Sequence, residues 1–385
     1  MSDSYKKTLT FFSGYSLPHV GGVEGYTDRL ARELTKDGIQ VICVSSAVDH
    51  SPGKERDELG IIHYYLPVYE KISNRYPVFK KNKLYRSLVN QLHNEKIDAL
   101  ICNARFYPTT LLGVKMGKKL NRQVFVVEHG SAPLTLSHPI LDLPLHAVEN
   151  CFTQKIKRYP VNFYVVSKAA QRHLEKDLKL SVSGIWHNNV TLAQNATRQL
   201  SNDTLKIAYV GRVIKPKGVE LLLQAFNMLS EPLKQKTDLQ IIGTGSDFGE
   251  LSKIYQSANI HFIGRLKQHE IQARYQRIDI VVVPTIDYPE GLNSVVLEAG
   301  AAGCCVIATA VPGIEEIIES GKDGLLVEKG NVLELKEKLQ EALKNQALRE
   351  SLGINLQKKV SEKYSTESVA KVILKDIFGA KNEEK

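Results

Sequence analysis

Residues 284–303, PTIDYPEGLNSVVLEAGAAG, are the stretch that decides the fold of this 385-residue chain. The apolar, β-branched run at residues 278–283 leads into it and predicts a strand that is buried on both faces. From about Asn293 onward, small and apolar residues recur at helical spacing, and Asn293 or Ser294 can accept hydrogen bonds from the first free N–H groups of that helix. The stretch therefore predicts a strand, a polar loop and a helix in succession.

Two glutamates mark this stretch, Glu290 in the loop and Glu298 on the helix. At about 1.5 Å per helical residue, their carboxylates lie no more than roughly 12 Å apart. Between them, Gly291, Leu292 and Asn293 offer backbone N–H groups at a positive helix end, where a phosphate can bind. A sugar, a diphosphate and a ribose, in that order, suit this arrangement, although two glutamates at this spacing commonly mark a solvated helix face.

Length and composition set broad limits on the function. A chain of 385 residues with 43% hydrophobic residues predicts two globular domains. The formal net charge of +9 predicts attraction to anionic partners such as nucleotides or phospholipid surfaces. The sequence contains neither 18 consecutive apolar residues nor a signal-like start, so we expect a cytoplasmic protein.

The first half, residues 1–197, alternates strand and helix patterns and predicts a mostly parallel sheet covered on both faces. Gly21 and Gly22 follow the first strand, where glycine lets the backbone approach a ligand closely. His129 ends a later strand, and Arg105 follows the strand before it. Because ligands collect at the carboxyl ends of parallel strands, both side chains are candidates for the binding crevice.

A basic, aromatic segment at residues 71–86, KISNRYPVFKKNKLYR, contains no acidic residue. Such a segment can lie on an anionic membrane, and a solvated loop explains it equally well. The candidate acceptor or membrane residues are Arg105, Lys71, Arg75, Lys80, Lys81, Lys83 and Arg86.

The second half, residues 198–365, repeats the alternation after a polar linker at about residues 194–204. Arg212 and Lys217 in GRVIKPKG follow its first strand, and a planar fork beside a mobile point charge suits a diphosphate. Further strand ends carry the candidate donor-binding residues Gly211, Gly243, Gly245, Arg265 and Leu266. Helical patterns fill the remainder, including a last one within residues 366–385.

Five motifs in the same order resemble glycosyltransferase family 4, whose members are retaining enzymes of the GT-B fold. These are GGVE after the first strand, His129-Gly130, HNNVT with Asn189 in place of the usual glycine, GRVIKPKG, and Glu290-x7-Glu298. The resemblance implies two facing Rossmann-like domains with a nucleotide-sugar cleft, and a final helix that crosses back onto the first domain.

The resemblance also implies roles for particular residues. Arg212 and Lys217 would hold the diphosphate of the leaving nucleotide, while Glu290 and Glu298 would accept hydrogen bonds from the donor sugar and the ribose. His129 would hold a hydroxyl of the donor sugar or assist at the anomeric centre, and the backbone at Arg265 and Leu266 would hold the base. With two cations at the diphosphate and no Asp-x-Asp in the chain, we expect neither a metal nor a cofactor.

These features predict a retaining hexosyltransferase that uses a nucleotide sugar, with a UDP-sugar favoured. A saccharide or polyprenol-linked saccharide of an envelope polysaccharide pathway is the expected acceptor, with peripheral attachment to the inner membrane face as a further hypothesis. The alternatives are a nucleotide-sugar epimerase, an inverting transferase or a non-catalytic binding subunit of the same fold. A nucleic-acid partner is not expected, because the basic residues accompany no recognisable reader motif.

Overall fold

The protein is described by a computed structural model that covers residues 7–19, 21–69, 76–133, 139–192, 204–288 and 291–379. The chain divides into two units, one comprising Met1–Asn188 and Thr366–Lys385, the other Asn189–Ser365. The linker predicted at residues 194–204 lies, apart from Thr204, outside the described residues.

The first unit is built on an eight-stranded sheet with the order β3-β4-β2-β1-β5-β6-β7-β8. Its strands are β1 Lys7–Phe12, β2 Ile39–Ser46, β3 Gly53–Arg56, β4 Ile62–Leu66, β5 Ala99–Asn103, β6 Gln123–Glu128, β7 Asn162–Val165 and β8 Gly184–Ile185. All pairs are parallel except the edge pair of β3 and β4. Apart from β3, the order reverses between β1 and β5, and ligands of doubly wound sheets bind at such a switch point.

Helices of the first unit pack on this sheet through apolar faces. Leu88 and Val114 from two of the helices join Phe12, Val44 and Leu100 of the strands in one buried core. The helices are α1 Gly22–Lys36, α2 Lys83–His93, α3 Pro108–Leu120, α4 Pro139–Ile156 and α5 Lys168–Arg172, the last continued by a π-turn at His173–Asp177. Ser167 caps α5, because its side chain accepts a hydrogen bond from the N–H of Ala170 at 3.0 Å.

The second unit has a fully parallel six-stranded sheet with the order β11-β10-β9-β12-β13-β14. Its strands are β9 Leu205–Val210, β10 Thr237–Ile242, β11 Ile260–Gly264, β12 Ile280–Val283, β13 Cys305–Thr309 and β14 Leu325–Val327. All four residues of β12 are buried, as its β-branched sequence predicts. This order is that of the Rossmann sheet, and its switch point lies between β9 and β12.

Helices also cover the second sheet, and Leu222, Phe226 and Leu339 pack against Ile207 and Ile241 of its strands. They are α6 Val219–Asn227, α7 Glu231–Lys234, α8 Phe248–Tyr255, α9 Gln268–Tyr275, α10 Ser294–Ala301, α11 Pro312–Glu315, α12 Val332–Lys344 and α13 Gln346–Tyr364. A short 3₁₀ turn at Lys215–Lys217 precedes α6.

The last helix, α14 Thr366–Phe378, belongs to the first unit, where it packs against α1. The buried indole of Trp186 donates a hydrogen bond to Asp376 at 2.8 Å. Two residues further on, the ammonium of Lys7 lies 5.4 Å from the ring centroid of Phe378. Both contacts hold the C-terminal turn of α14 on the first unit.

Candidate active site

The loops that follow β9 and β12 meet at the switch point of the second sheet. The backbone N–H groups of Ile286 and Asp287 both donate to the carbonyl of Pro216, at 2.9 and 3.1 Å. Gly218 adopts φ +71°, and a Cβ atom there would lie 1.8 Å from the carbonyl oxygen of Pro284. Only glycine fits this position. The loop that carries Arg212 and Lys217 can therefore pack against the loop at the start of residues 284–303.

Arg212 and Lys217 converge on one side chain, the phenol of Tyr288. The ammonium of Lys217 lies 4.0 Å from the ring centroid, and the guanidinium carbon of Arg212 lies 4.9 Å from it. Arg212 also donates a hydrogen bond to the Tyr288 hydroxyl at 2.5 Å. Two cations thus contact one aromatic ring, a favourable electrostatic arrangement that leaves both beside the switch point.

Glu298, on α10, is held by two side chains of α9. The amide of Gln268 donates to one carboxylate oxygen at 3.1 Å, and the hydroxyl of Tyr275 lies 3.4 Å from the other. Burial, and secondarily the charge of Glu298, raises the pKa of Tyr275 well above its ordinary value, so this hydroxyl stays protonated and can donate. The carboxylate therefore has a fixed orientation on a partly exposed helix face.

The start of α10 has the geometry that the sequence predicts. The side chain of Asn293 accepts a hydrogen bond from the N–H of Val296 at 3.0 Å, which confirms the predicted cap. Leu292 is buried and Gly291 is partly exposed just before it. Glu290 lies outside the described residues, so its role and its distance from Glu298 stay predictions.

Gly243 and Gly245, in the loop after β10, pack against the backbone of the loop after β9, which contains Gly211. A Cβ atom on Gly243 would lie 1.8 Å from the carbonyl oxygen of Gly211, and one on Gly245 would lie 2.1 Å from that of Val213. Close backbone approach between the loops after β9 and β10 thus accounts for these glycines by itself. Beyond β11, Arg265 is exposed and Leu266 is partly buried.

In the first unit, His129 follows β6 beside the switch point between β1 and β5. Its Nε2 atom lies 3.1 Å from Oδ1 of Asn103, the last residue of β5, and the ring of Tyr26 meets it edge-on at 4.8 Å. Burial lowers the pKa of His129 from 6.5 to about 4, against a smaller opposing effect of Glu128. The imidazole is therefore neutral at pH 7.

The glycine loop of the first unit begins α1. Gly21 is the extended N-cap residue of this helix, and a Cβ atom there would lie 2.1 Å from a carboxylate oxygen of Glu24. A Cβ atom on Gly22 would meet nothing within 4 Å. A side chain at Gly21 would thus displace the carboxylate of Glu24, whereas Gly22 has open space around it.

Both sheets therefore place polar side chains at a switch point, and comparison with known proteins agrees with this geometry. Residues 165–359 match the family model of the glycosyl transferases group 1, and residues 20–194 match that of glycosyltransferase family 4. The chain belongs to this glycosyltransferase family. The predicted family is thereby confirmed.

Relatives of this glycosyltransferase match either most of the chain or about half of it. It is 25% identical over 376 residues to an uncharacterized glycosyltransferase of Methanocaldococcus jannaschii, covering 94% of this chain and 95% of that one. It is 28% identical over 215 residues to the capsular polysaccharide biosynthesis glycosyltransferase CapM of Staphylococcus aureus, covering 52% and 56% of the two chains.

A solved structure shows the same fold. HepE of Anabaena, crystallised with UDP, has a TM-score of 0.71 at 15% identity, covering 97% of this chain and all of that one. The GT-B fold predicted from the sequence is confirmed. Among the helices of the described ranges, none has both the length and the hydrophobicity needed to span a membrane.

Arg105, predicted as a crevice residue and as a candidate for contact with an acceptor or a membrane, is buried. This side chain of the glycosyltransferase is only 2% exposed, and its guanidinium donates to the carboxylates of both Glu128 and Glu149. Burial alone would raise the pKa of Glu128, but Arg105 and the N–H of Gly130 more than offset this and hold the pKa below its ordinary value. Arg105 is therefore committed to a buried ion-paired network and cannot reach an acceptor or a membrane.

The other basic candidates lie where the sequence indicates. Lys80, Lys81, Lys83 and Arg86 are all exposed around the start of α2. Lys71 and Arg75 lie outside the described residues, so their part in this surface stays a prediction.

Sequence reasoning missed four residues at these sites, namely Tyr288, Gln268, Tyr275 and Asn103. Tyr288 stands inside the deciding stretch, and its position after the fourth strand of the second sheet could have pointed to it. The remaining three act through contacts between residues 23 to 30 positions apart, which periodicity does not show.

Proposed function

We propose that this glycosyltransferase is a retaining, metal-independent enzyme that moves a hexosyl-type sugar from a UDP-sugar to a saccharide or lipid-linked saccharide acceptor. The observation that carries the proposal is the convergence of Arg212 and Lys217 at the switch point of the second sheet. Two protein cations at a carboxyl strand end suit the diphosphate of a nucleotide sugar.

The chemistry follows from the charges that develop. When the bond between the anomeric carbon and the phosphate oxygen breaks, its electron pair stays on the diphosphate and the sugar ring becomes positive. Arg212, Lys217 and the N–H groups at the start of α10 stabilise the leaving diphosphate as preorganised donors. Because side chains supply this charge, we expect no divalent metal to be required.

The carboxylates and the imidazole hold hydroxyl groups. Glu298, oriented by Gln268 and Tyr275, accepts hydrogen bonds from the ribose of the donor. Glu290 takes the corresponding role for the donor sugar, and His129 accepts a hydrogen bond from a sugar hydroxyl. The oxygen of the acceptor hydroxyl forms a bond to the anomeric carbon on the face that the diphosphate leaves. The leaving diphosphate takes the proton of that hydroxyl, so the proton balance needs no further base.

Named relatives support the choice of donor and pathway. HepE of Anabaena has been crystallised with UDP and with UDP-glucose, which favours a uridine donor here. CapM is named for capsular polysaccharide biosynthesis, which favours an envelope polysaccharide as the product.

A donor panel with product analysis tests this function. Purified enzyme is incubated with UDP-hexoses and candidate saccharide acceptors with and without EDTA, and ¹H NMR gives the anomeric configuration. We expect the α-configured donor to yield an α-linked product, with EDTA having no effect. Inversion would contradict the retaining mechanism, and interconversion of free nucleotide sugars would indicate an epimerase instead.

Substitution of the cations tests their role in the same assay. We expect Arg212→Ala and Lys217→Ala each to lower turnover by about 10²- to 10³-fold, the usual effect of removing one preorganised donor. Lys215→Ala is the matched control, because Lys215 lies in the same turn as Lys217 and is more exposed than Lys217. Equal activity of all three variants would exclude a catalytic role for these cations.

We also propose that the exposed face around the start of α2 attaches the protein to an anionic membrane. Three lysines, Lys80, Lys81 and Lys83, lie at the positive end of this helix, where the helix dipole disfavours cations. Nearby, Tyr69 is 51% exposed and Leu84 is 42% exposed. Cations beside exposed apolar side chains are typical of proteins that bind anionic headgroups.

Liposome flotation tests this attachment. We expect wild-type protein to float with vesicles that contain anionic lipid, and a Lys80→Glu, Lys81→Glu, Lys83→Glu variant to stay in the dense fraction. In the control variant, glutamate replaces three exposed lysines of the second unit, Lys253, Lys358 and Lys363. If both variants float like wild-type protein, this face does not bind the membrane.

A further inference from the structure

A buried chain of hydrogen bonds runs from α1 to His129 across the switch point of the first sheet. The hydroxyl of Thr27 donates to the carbonyl of Val23 at 2.8 Å. Nδ2 of Asn103 lies 2.9 Å from Oγ1 of Thr27 and 3.2 Å from Oγ of Ser13. Oδ1 of Asn103 lies 3.1 Å from Nε2 of His129. Asn103, at 0% exposure, thus links Thr27 of α1 to His129.

The direction of each hydrogen bond follows from the number of protons. Thr27 donates its single hydroxyl proton to the carbonyl of Val23, so its Oγ1 atom can only accept a hydrogen bond from Asn103. The NH₂ group of Asn103 must therefore face Thr27, and its carbonyl oxygen must face His129. Because that oxygen can only accept, Nε2 of His129 must carry a proton.

The surroundings of His129 favour the neutral ring. Burial holds the pKa of His129 at about 4, and the adjacent carboxylate of Glu128 is engaged by Arg105. Tyr26, which meets the ring from α1, keeps its proton because burial raises its pKa. At neutral pH the imidazole then has one proton, on Nε2, and a lone pair on Nδ1.

We propose that Asn103 is a positioning residue that fixes the Nε2–H tautomer of His129, so that Nδ1 is presented to the substrate as a hydrogen-bond acceptor. The contact with substrate rests on the proposed function, in which His129 holds a sugar hydroxyl. The proposal makes this interaction directional, because Nδ1 can accept a proton from a hydroxyl group and cannot donate one. An analogue whose hydroxyl is replaced by fluorine or hydrogen should lose the contact.

Nitrogen NMR of the histidine side chains tests the tautomer directly. ¹⁵N-labelled wild-type protein is compared with His129→Gln to assign the signals among the 11 histidines. We expect His129 to show a protonated Nε2 and an unprotonated Nδ1 from pH 8 to below pH 6. A protonated Nδ1 in wild-type protein would overturn the proposal, whatever the variants do.

Two substitutions test whether the hydrogen bonds from Thr27 through Asn103 fix the tautomer of His129. Thr27→Val removes the acceptor that orients the Asn103 amide without touching His129, and Asn103→Leu removes the amide itself. We expect both to give a mixture of tautomers and to lower kcat roughly 10-fold, the value of one neutral hydrogen bond. An unchanged tautomer with unchanged kcat in both variants would overturn the proposal.

Asn103→Asp gives a readout that a structural role would not produce. A carboxylate beside the ring stabilises its protonated form, so the pKa of His129 should rise and the acid limb of the pH profile of kcat should move to higher pH. An acid limb at the same pH as in wild-type protein would contradict the proposed contact between Asn103 and His129. Arg212→Ala separates this test from the proposed function, because its loss of turnover should persist even if every Asn103 variant behaves like wild-type protein.

Discussion

At the scale of single residues, the feature with the clearest chemical consequence is the ring of Tyr288. Arg212 and Lys217 would repel each other across the same space, and the negative face of an aromatic ring offsets that repulsion. The hydroxyl of Tyr288 adds one hydrogen bond to Arg212. We therefore infer that the ring holds the two cations ready for a diphosphate, whereas the hydroxyl contributes little once the phosphate has replaced it.

A matched pair of substitutions separates ring from hydroxyl. We expect Tyr288→Phe to bind UDP within about twofold of wild-type protein, because the ring face remains. Tyr288→Leu should bind more weakly by about 0.5–2 kcal/mol, the range of a cation–π interaction. Isothermal titration calorimetry measures both, and a Leu variant that binds UDP as tightly as the Phe variant would show that the ring has no part in binding.

At the scale of elements, the sequence predicts the buried strands and the long amphipathic helices well. Their apolar periodicity is strong, as in α12, where Leu335, Leu339 and Leu343 recur at helical spacing and are buried. The edge strand β3 gives no such signal, because its sequence, GKER, has only exposed or partly exposed residues and hence no apolar alternation. Helix α3 gives a weak signal because glycines interrupt its pattern, and Gly117 is there because a Cβ atom would lie 2.1 Å from Val124.

The candidate site was predictable only in part, for a related reason. Arg212, Lys217 and Glu298 come from local motifs, so the sequence shows them. Their partners come from other elements, and only the strand order places Tyr288 beside Arg212, 76 residues away. Arg105 is the converse case, a residue that the sequence singles out and the structure buries. The sequence gives no sign that two glutamates will enclose this arginine.

The docking of α14 on the first unit yields a prediction at this scale. Asp376→Ala leaves the buried indole N–H of Trp186 without its acceptor, which should cost about 1–3 kcal/mol of unfolding free energy. Asp376→Asn keeps an acceptor oxygen and should cost less. Because Trp186 is the only tryptophan, its fluorescence during urea unfolding reports this contact. Identical unfolding curves for the Ala variant and wild-type protein would mean that the contact does not stabilise the unit.

At the scale of the whole molecule, the two sheets share one design. Each is doubly wound, and each gathers polar side chains where its strand order reverses, between β1 and β5 in one unit and between β9 and β12 in the other. The first switch point presents the neutral imidazole of His129, and the second presents the cations Arg212 and Lys217. In the proposed function, the first switch point therefore recognises a sugar hydroxyl and the second recognises the diphosphate.

The central claim is that the switch point of the second sheet binds a diphosphate. Calorimetric titration with UDP and UMP, for wild-type protein, Lys217→Ala and the control Lys215→Ala, tests it most directly. Charge-assisted hydrogen bonds to the second phosphate should make UDP bind about 10- to 100-fold more tightly than UMP in wild-type and control proteins. The difference should largely vanish in Lys217→Ala. Equal affinities for the two nucleotides in wild-type protein, or an undiminished difference in Lys217→Ala, would contradict the account.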